Sequence, residues 1–152
     1  MKDKQQASYF LSDDEETLLS GVVATAQEIC CSLDSHSKKR EHLFPHSIFK
    51  SLSELGLMGL SIEEEFGGTA ASTSLQAAIY EELSYHNLGP AIFTSVHNMV
   101  CRLISCFASD TVKKKYLPKL AKGELLAAFA LSEPSAGSDA VSYTHLTLPT
   151  KA

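Results

Sequence analysis

Apolar residues spaced three and four apart recur through most of this chain, and capping or turn-forming residues separate each stretch from the next. Only a helical period of 3.6 residues gathers such positions onto one face, so the pattern demands a succession of amphipathic helices. Ser12-Asp13-Asp14-Glu15 reads as a capping box with acids in the first turn, and Leu19, Val22, Ala26, Ile29, Cys30 and Leu33 follow on one side. Ser35 to Phe44 is charged and reads as a loop. Pro45 then opens a second helix, with Ile48, Leu52 and Leu55 on a stripe and Gly56 as its stop. Thr73-Ser74-Leu75-Gln76 is a further capping box, continued by Ile79 and Leu83 and broken by Asn87 to Pro90. From Ala91 to Phe107 the chain is almost uncharged, which suits the central helix of a bundle, with Val96, Val100, Leu103, Ile104 and Phe107 expected to point inward. Ser109-Asp110 caps a last short helix through Lys113 and Tyr116; Pro118 can kink it and Gly123 ends it.

The period changes after that glycine. Leu125-Leu126-Ala127-Ala128-Phe129-Ala130-Leu131 is a continuous apolar run, expected to be a buried strand. It delivers Ser132-Glu133-Pro134-Ser135-Ala136-Gly137-Ser138-Asp139-Ala140, a loop of small hydroxyl residues, turn formers and acids. Such a loop lets backbone N–H groups approach a polar ligand closely, and Ser132 and Ser138 add hydroxyl donors. A phosphate or a heteroaromatic carbonyl would suit it, although an exposed connection between strands has a similar composition.

Composition narrows the function classes. With 152 residues, 44% hydrophobic and 20% charged, the chain is an ordinary globular length and is neither disordered nor low in complexity. A formal net charge of −5 argues against nucleic-acid binding, and Lys38-Lys39 and Lys113-Lys114-Lys115 are too short to reverse it. The polar start predicts no secretory leader, and the most apolar window, Ala91 to Phe107, carries His97, Asn98 and Arg102, so no membrane span is expected. Cys30, Cys31, Cys101 and Cys106 lack zinc-ligand spacing and read as reduced, small apolar residues, which points to a cytoplasmic or otherwise reducing compartment. The histidines show no metal-ligand spacing either: His36, His42 and His46 read as solvated, His86 as a helix-end residue, His97 as a core histidine.

Three segments, taken together, carry a family resemblance. Ala128-Phe129-Ala130-Leu131-Ser132-Glu133-Pro134-Ser135-Ala136-Gly137-Ser138-Asp139 resembles the flavin-binding signature of the acyl-CoA dehydrogenases. Lys115-Tyr116-Leu117-Pro118-Lys119-Leu120-Ala121-Lys122-Gly123-Glu124 resembles that family's approach to the signature. Gly56-Leu57-Met58-Gly59-Leu60 with Glu64-Glu65-Phe66-Gly67-Gly68 resembles its earlier glycine pair, and all three stand in the family's order.

The resemblance implies a mainly α fold: an N-terminal helical bundle domain over residues 1–124, the first strand and signature loop of a truncated β domain over 125–140, and a tail over 141–152. That tail, Val141 to Ala152, lacks the expected glycine turn and resembles a translated sequencing adapter. The implied cofactor is FAD, lined by Phe129, Ala130, Leu131, Ser132, Gly137 and Ser138, with Ser138 also reaching the acyl-CoA. Ser132 and Phe129 replace the family's commoner threonine and tyrosine while keeping a hydroxyl and an aromatic face. The implied reaction oxidises an acyl-CoA thioester between its α and β carbons, with electrons passed to an electron-transfer flavoprotein by a homodimer or homotetramer. The family's catalytic glutamate belongs to a later domain, Glu133 does not replace it, and so a chain cut after the signature is expected to be inactive and to hold FAD weakly or not at all. Acyl-CoA oxidases and flavin monooxygenases share the scaffold, and a cofactor-free helical interaction module is the alternative of another class.

Overall fold

The computed structural model describes residues 10–37, 46–132, 134 and 137–139, with side chains described for 10–29, 48–132, 134 and 137–139. Pro45, Glu133, the tail from Val141 to Ala152, and the side chains of Cys30, Cys31, Leu33, His36, His42, His46 and His145 lie outside those residues. Within them the chain forms five α-helices: α1 (Asp13–Ser37), α2 (His46–Glu54), α3 (Thr73–His86), α4 (Leu88–Phe107) and α5 (Asp110–Ala121). Short 3-10 turns at Leu57–Gly59 and Glu64–Phe66 join α2 to α3.

The capping signals locate the starts of α1, α3 and α5 to within a residue, whereas α4 begins at Leu88, three residues before the expected Ala91, because Asn87 caps it by accepting from the Gly89 N–H at 2.9 Å. At α1 the Ser12 N–H donates to Glu15 Oε2 at 3.0 Å and the Glu15 N–H donates back to Ser12 Oγ at 3.4 Å, the reciprocal pair of a capping box. Glu15 also ties two helix starts together, because the Ser72 N–H donates to its Oε1 at 3.3 Å. Hydrogen bonds from the Ser72 side chain first, and from the Ser12 backbone next, hold the Glu15 carboxyl below its usual range. The α3 cap is Ser72 and not Thr73: its hydroxyl accepts from the Leu75 N–H at 3.1 Å, and Gln76 turns back to donate to the Ala71 carbonyl at 2.9 Å. Helix α1 runs on through Ser37, so Ser35 to Ser37 belong to the helix and not to the expected loop.

The main core lies where α1, α2 and α3 meet, built from Val22, Ala26, Ile29, Ile48, Leu52, Leu75, Ile79 and Leu83 around Leu57 and Met58 of the first 3-10 turn and Leu60 just after it. A second cluster joins α4 and α5 through Ile62, Cys101, Leu117, Leu120 and Ala121. Burial of such side chains is the dominant stabilising term, worth about 2 kcal/mol for each large aliphatic one.

Helix α4 corrects the expected orientation. Its buried face carries Thr94, His97, Asn98, Cys101 and Ser105; of the residues expected inward, Ile104 packs on the second cluster and Val96 and Val100 are half-buried, whereas Phe107 is 83% exposed and Leu103 also reaches the surface. The helix is apolar on most sides, so period alone could not choose the inward face. Its neighbours present backbone groups on that side, and the His97 and Asn98 side chains satisfy them. The helix does hold the middle position, packed between α3 and α5.

The strand expected over Leu125–Leu131 is not formed, and the segment is not buried. Gly123, at φ 68°, ends α5 in a left-handed turn that a side chain would strain, and the N–H groups of Glu124 and Leu125 both close on the Lys119 carbonyl. From there the backbone is irregular, with Leu125, Leu126 and Phe129 exposed. A strand exists only as part of a ladder, and among the described residues no second strand offers one.

Candidate functional site

The chemistry-bearing segment leaves the helical body at one fixed point. Ala127 packs on the second cluster, and its N–H donates to His97 Nδ1 at 3.2 Å. Beyond it Phe129, Ala130 and Ser132 are exposed, Leu131 is half-buried, and Gly137 and Ser138 are exposed. Of the predicted cofactor residues, the structure therefore leaves all open to solvent except Leu131, which is half-covered. Asp139 is exposed as well.

His97 is 1% exposed, and burial pushes its pKa down, partly offset by the Leu120 and Met58 carbonyls. The ring is thus neutral near pH 7, and because Nδ1 accepts from Ala127 the proton resides on Nε2. Neither carbonyl meets Nε2 with hydrogen-bond geometry, and among the described residues Nε2, Thr94 Oγ1 and Ser105 Oγ are buried without a partner.

The next residue, Asn98, clamps the loop after α2. Its Nδ2 donates to the Leu57 carbonyl at 2.8 Å and to the Thr94 carbonyl at 3.0 Å, while its Oδ1 accepts from the Ser61 N–H at 3.1 Å. Sequence reasoning places His97 in the core and passes over Asn98. The available signal is two adjacent polar side chains on an otherwise apolar helix.

A cleft of about 630 Å³ opens on the other side of α4, between α3 and the turns around Leu60–Glu63 and Ala70–Thr73. Gln76 organises its wall: Oε1 accepts from the Ser61 hydroxyl at 3.0 Å and from the Tyr80 hydroxyl at 3.5 Å. Burial, with a smaller contribution from Cys101, pushes the Tyr80 phenol up to about 12. Ser95, Met99, Arg102 and Leu103 supply the α4 side of the cleft, and Glu63 Oε2 is buried there without a partner among the described residues. None of its lining residues comes from the signature segment. The volume is in the range of small-molecule sites, and no motif in the sequence points to a site there.

Among the described residues no group of His, Cys, Asp and Glu is arranged to hold a metal ion, and no helix is long and apolar enough to cross a membrane. Cys101 and Cys106 are both free thiols. Burial pushes Cys101 up to about 12, whereas Cys106 is exposed. Alkylation with iodoacetamide at pH 8 should therefore modify Cys106 and spare Cys101 in the native protein, with both modified after denaturation. Peptide mapping reads the result, and native labelling of Cys101 would contradict the packing of α4 described above.

The architecture is thus that of an all-α domain whose last helix hands the chain to an open, hydroxyl-bearing segment. Residues 12–124 match the family model of the acyl-CoA dehydrogenase N-terminal domain, and the chain belongs to that family. It is 34% identical over 139 residues to the acryloyl-CoA reductase (NADH) of Anaerotignum propionicum, covering 91% of this chain and 35% of that protein. The butyryl-CoA dehydrogenase of Megasphaera elsdenii superposes with a TM-score of 0.70 at 28% identity, over 88% of this chain and 36% of that one. An acyl-CoA dehydrogenase of Bacillus anthracis, solved with FAD, superposes at 0.69 with 32% identity, over 88% of this chain and 23% of the other. The chain spans about a third of the length of the first relative.

Proposed function

We propose that residues 1–124 are the helical N-terminal domain of an FAD-dependent acyl-CoA dehydrogenase, and that 125–140 begin its β domain and form one wall of the flavin site. The observation that carries this is the open state of the signature segment: among the described residues, the backbone N–H groups of 128–132 make no hydrogen bond within the chain, and Ser132 is exposed. Unpaired donors next to an exposed aromatic ring fit a polar heteroaromatic ligand. In this reading Phe129, Ala130 and Leu131 lie against the ring system, Ser132 donates through its N–H and hydroxyl, and Gly137 and Ser138 approach the pyrophosphate. Ser138 also contacts the acyl-CoA. FAD supplies the two-electron redox chemistry when bound.

The substrate is an acyl-CoA thioester and the reaction its α,β-oxidation, with an electron-transfer flavoprotein as acceptor and a homodimer or homotetramer as the assembly. In this reading the catalytic glutamate that removes the α proton belongs to a later domain of the family, so the 152 residues alone are expected to turn over no acyl-CoA. Backbone NMR with a large excess of FAD tests the site. Shifts concentrated at 128–132 and 137–139, and reduced several-fold by Ser132→Ala, are expected. An unchanged spectrum in that segment overturns the assignment.

A further inference from the structure

We propose that His97 is the positioning residue for the flavin-signature segment, fixing through Ala127 where that segment leaves the helical body. The inference rests on the flavin reading above for its purpose and on three observations for its geometry. The first is the hydrogen bond itself, 3.2 Å between the Ala127 N–H and Nδ1, which joins residues thirty apart in sequence. After Leu125 has closed on the Lys119 carbonyl, no other hydrogen bond of 126–132 is present among the described residues. The start of the segment is therefore held by this bond and by the packing of Ala127 on the cluster around Cys101 and Leu117.

The second observation is that the acceptor cannot wander. His97 is 1% exposed on a helix packed between α3 and α5, so its ring position is dictated by the core and not by solvent. The next residue, Asn98, pins the same stretch of α4 to the Leu57 carbonyl and the Ser61 N–H. A rigid acceptor gives the segment a definite starting direction, which a site must have if its donors are to meet a ligand within a fraction of an ångström.

The third is placement. Ala127 immediately precedes Ala128, the first residue of the signature run, so an error in its position is carried into Phe129 to Ser132 without any intervening element to absorb it. Leu126 and Phe129, on either side, are exposed and provide no competing anchor.

Two substitutions separate positioning from mere filling. In His97→Asn the side-chain carbonyl oxygen falls near the place of Nδ1 and keeps the acceptor; in His97→Leu the volume is kept and the acceptor is lost. Amide hydrogen exchange on the full chain should show Ala127 exchanging about tenfold faster in His97→Leu, the cost of one lost bond to a partly buried donor. His97→Asn should restore the slow rate. Nitrogen-15 imidazole spectra of the unsubstituted protein should show the neutral ring protonated at Nε2. Equal Ala127 exchange in all three proteins, or a proton found on Nδ1, overturns the proposal; a general speeding of α4 amides in His97→Leu would do so too, since it would mark a core defect. Failure of the flavin reading looks different: Ala127 protection would still follow residue 97, while added FAD left 128–132 unshifted.

Discussion

Replacing Gly68 by alanine is expected to destabilise the protein by about 3 kcal/mol, the upper range for forcing extra volume into a packed site. A Cβ built on Gly68 would lie 2.1 Å from the Ile62 carbonyl oxygen and 2.6 Å from the Ile62 Cβ, and the oxygen belongs to backbone, which cannot step aside as a side chain would. The contact is part of a tight return of the chain: Thr69 N–H donates to Gly59 O at 3.0 Å, Ala71 N–H to Leu60 O at 2.8 Å, and Ala70 N–H to Ile62 O at 2.9 Å. Moving Ile62 disturbs that ladder and also the second core cluster, in which Ile62 is fully buried. Gly59 packs against Gly68 from the other side, where a Cβ would meet the Gly68 Cα at 3.1 Å. The penalty is steric and not conformational, which a control exposes. Gly21 lies within α1, and a methyl added to it would meet nothing within 4 Å, so Gly21→Ala should stabilise by about 0.5–1 kcal/mol. Thermal unfolding of the two variants should move in opposite directions, Gly68→Ala falling by roughly 10 °C for a domain of this size. A Gly68→Ala protein that melts with the parent would refute the close approach of these two chain segments.

The glycines, the caps and the helix stripes are legible in the sequence because each encodes a local requirement. Ser12 and Glu15 satisfy each other across three residues, Ile48 and Leu52 share a stripe, and Gly123 adopts a left-handed turn, all without reference to the rest of the chain. What depends on distant partners is not legible. Periodicity alone turns the inward face of α4 too far toward Leu103 and Phe107, which are exposed, and passes over Thr94, His97 and Cys101, whose side of the helix meets the backbone groups of Leu57, Ser61 and Ala127. The same holds for the run after Gly123. Its β-like composition is a statement about a ladder, and an apolar segment without a ladder partner remains open, as Leu126 and Phe129 do. The candidate site is legible only as a motif; the cleft around Gln76 draws on four separate stretches of chain, and no spacing rule links Ser61, Gln76, Tyr80 and Arg102.

Asn98→Ala should cost about 3 kcal/mol, because it strands two backbone groups at once. The Leu57 carbonyl loses its donor and the Ser61 N–H its acceptor, and each unsatisfied partner of a buried pair carries a penalty of about 1–3 kcal/mol. Asn98→Asp discriminates further, since it keeps the shape and one acceptor while reversing the role of the other atom. The oxygen that replaces Nδ2 faces the Leu57 and Thr94 carbonyls, 2.8 and 3.0 Å from the original nitrogen, so an ionised carboxylate there meets two acceptors and no compensating donor. Its ionised form is thus disfavoured in the folded state, and its folded pKa rises above the unfolded value of about 3.9. The sign follows: a raised folded pKa means that stability is lost as pH rises through that value and is regained below it. The protonated acid can donate to the Leu57 carbonyl and restore the clamp. The deficit of Asn98→Asp relative to the parent should therefore be large at pH 7 and shrink toward pH 4, whereas the deficit of Asn98→Ala should stay constant over the same range. Taking differences at each pH removes the parent's own loss on acidification, where the depressed pKa of buried His97 makes the folded state poorer in protons than the unfolded one below about pH 6.5. Denaturant titrations at several pH values supply the comparison. Parallel curves for the alanine and aspartate variants would mean that Asn98 acts through its volume alone and that α4 is held to the Leu57–Ser61 turn by packing.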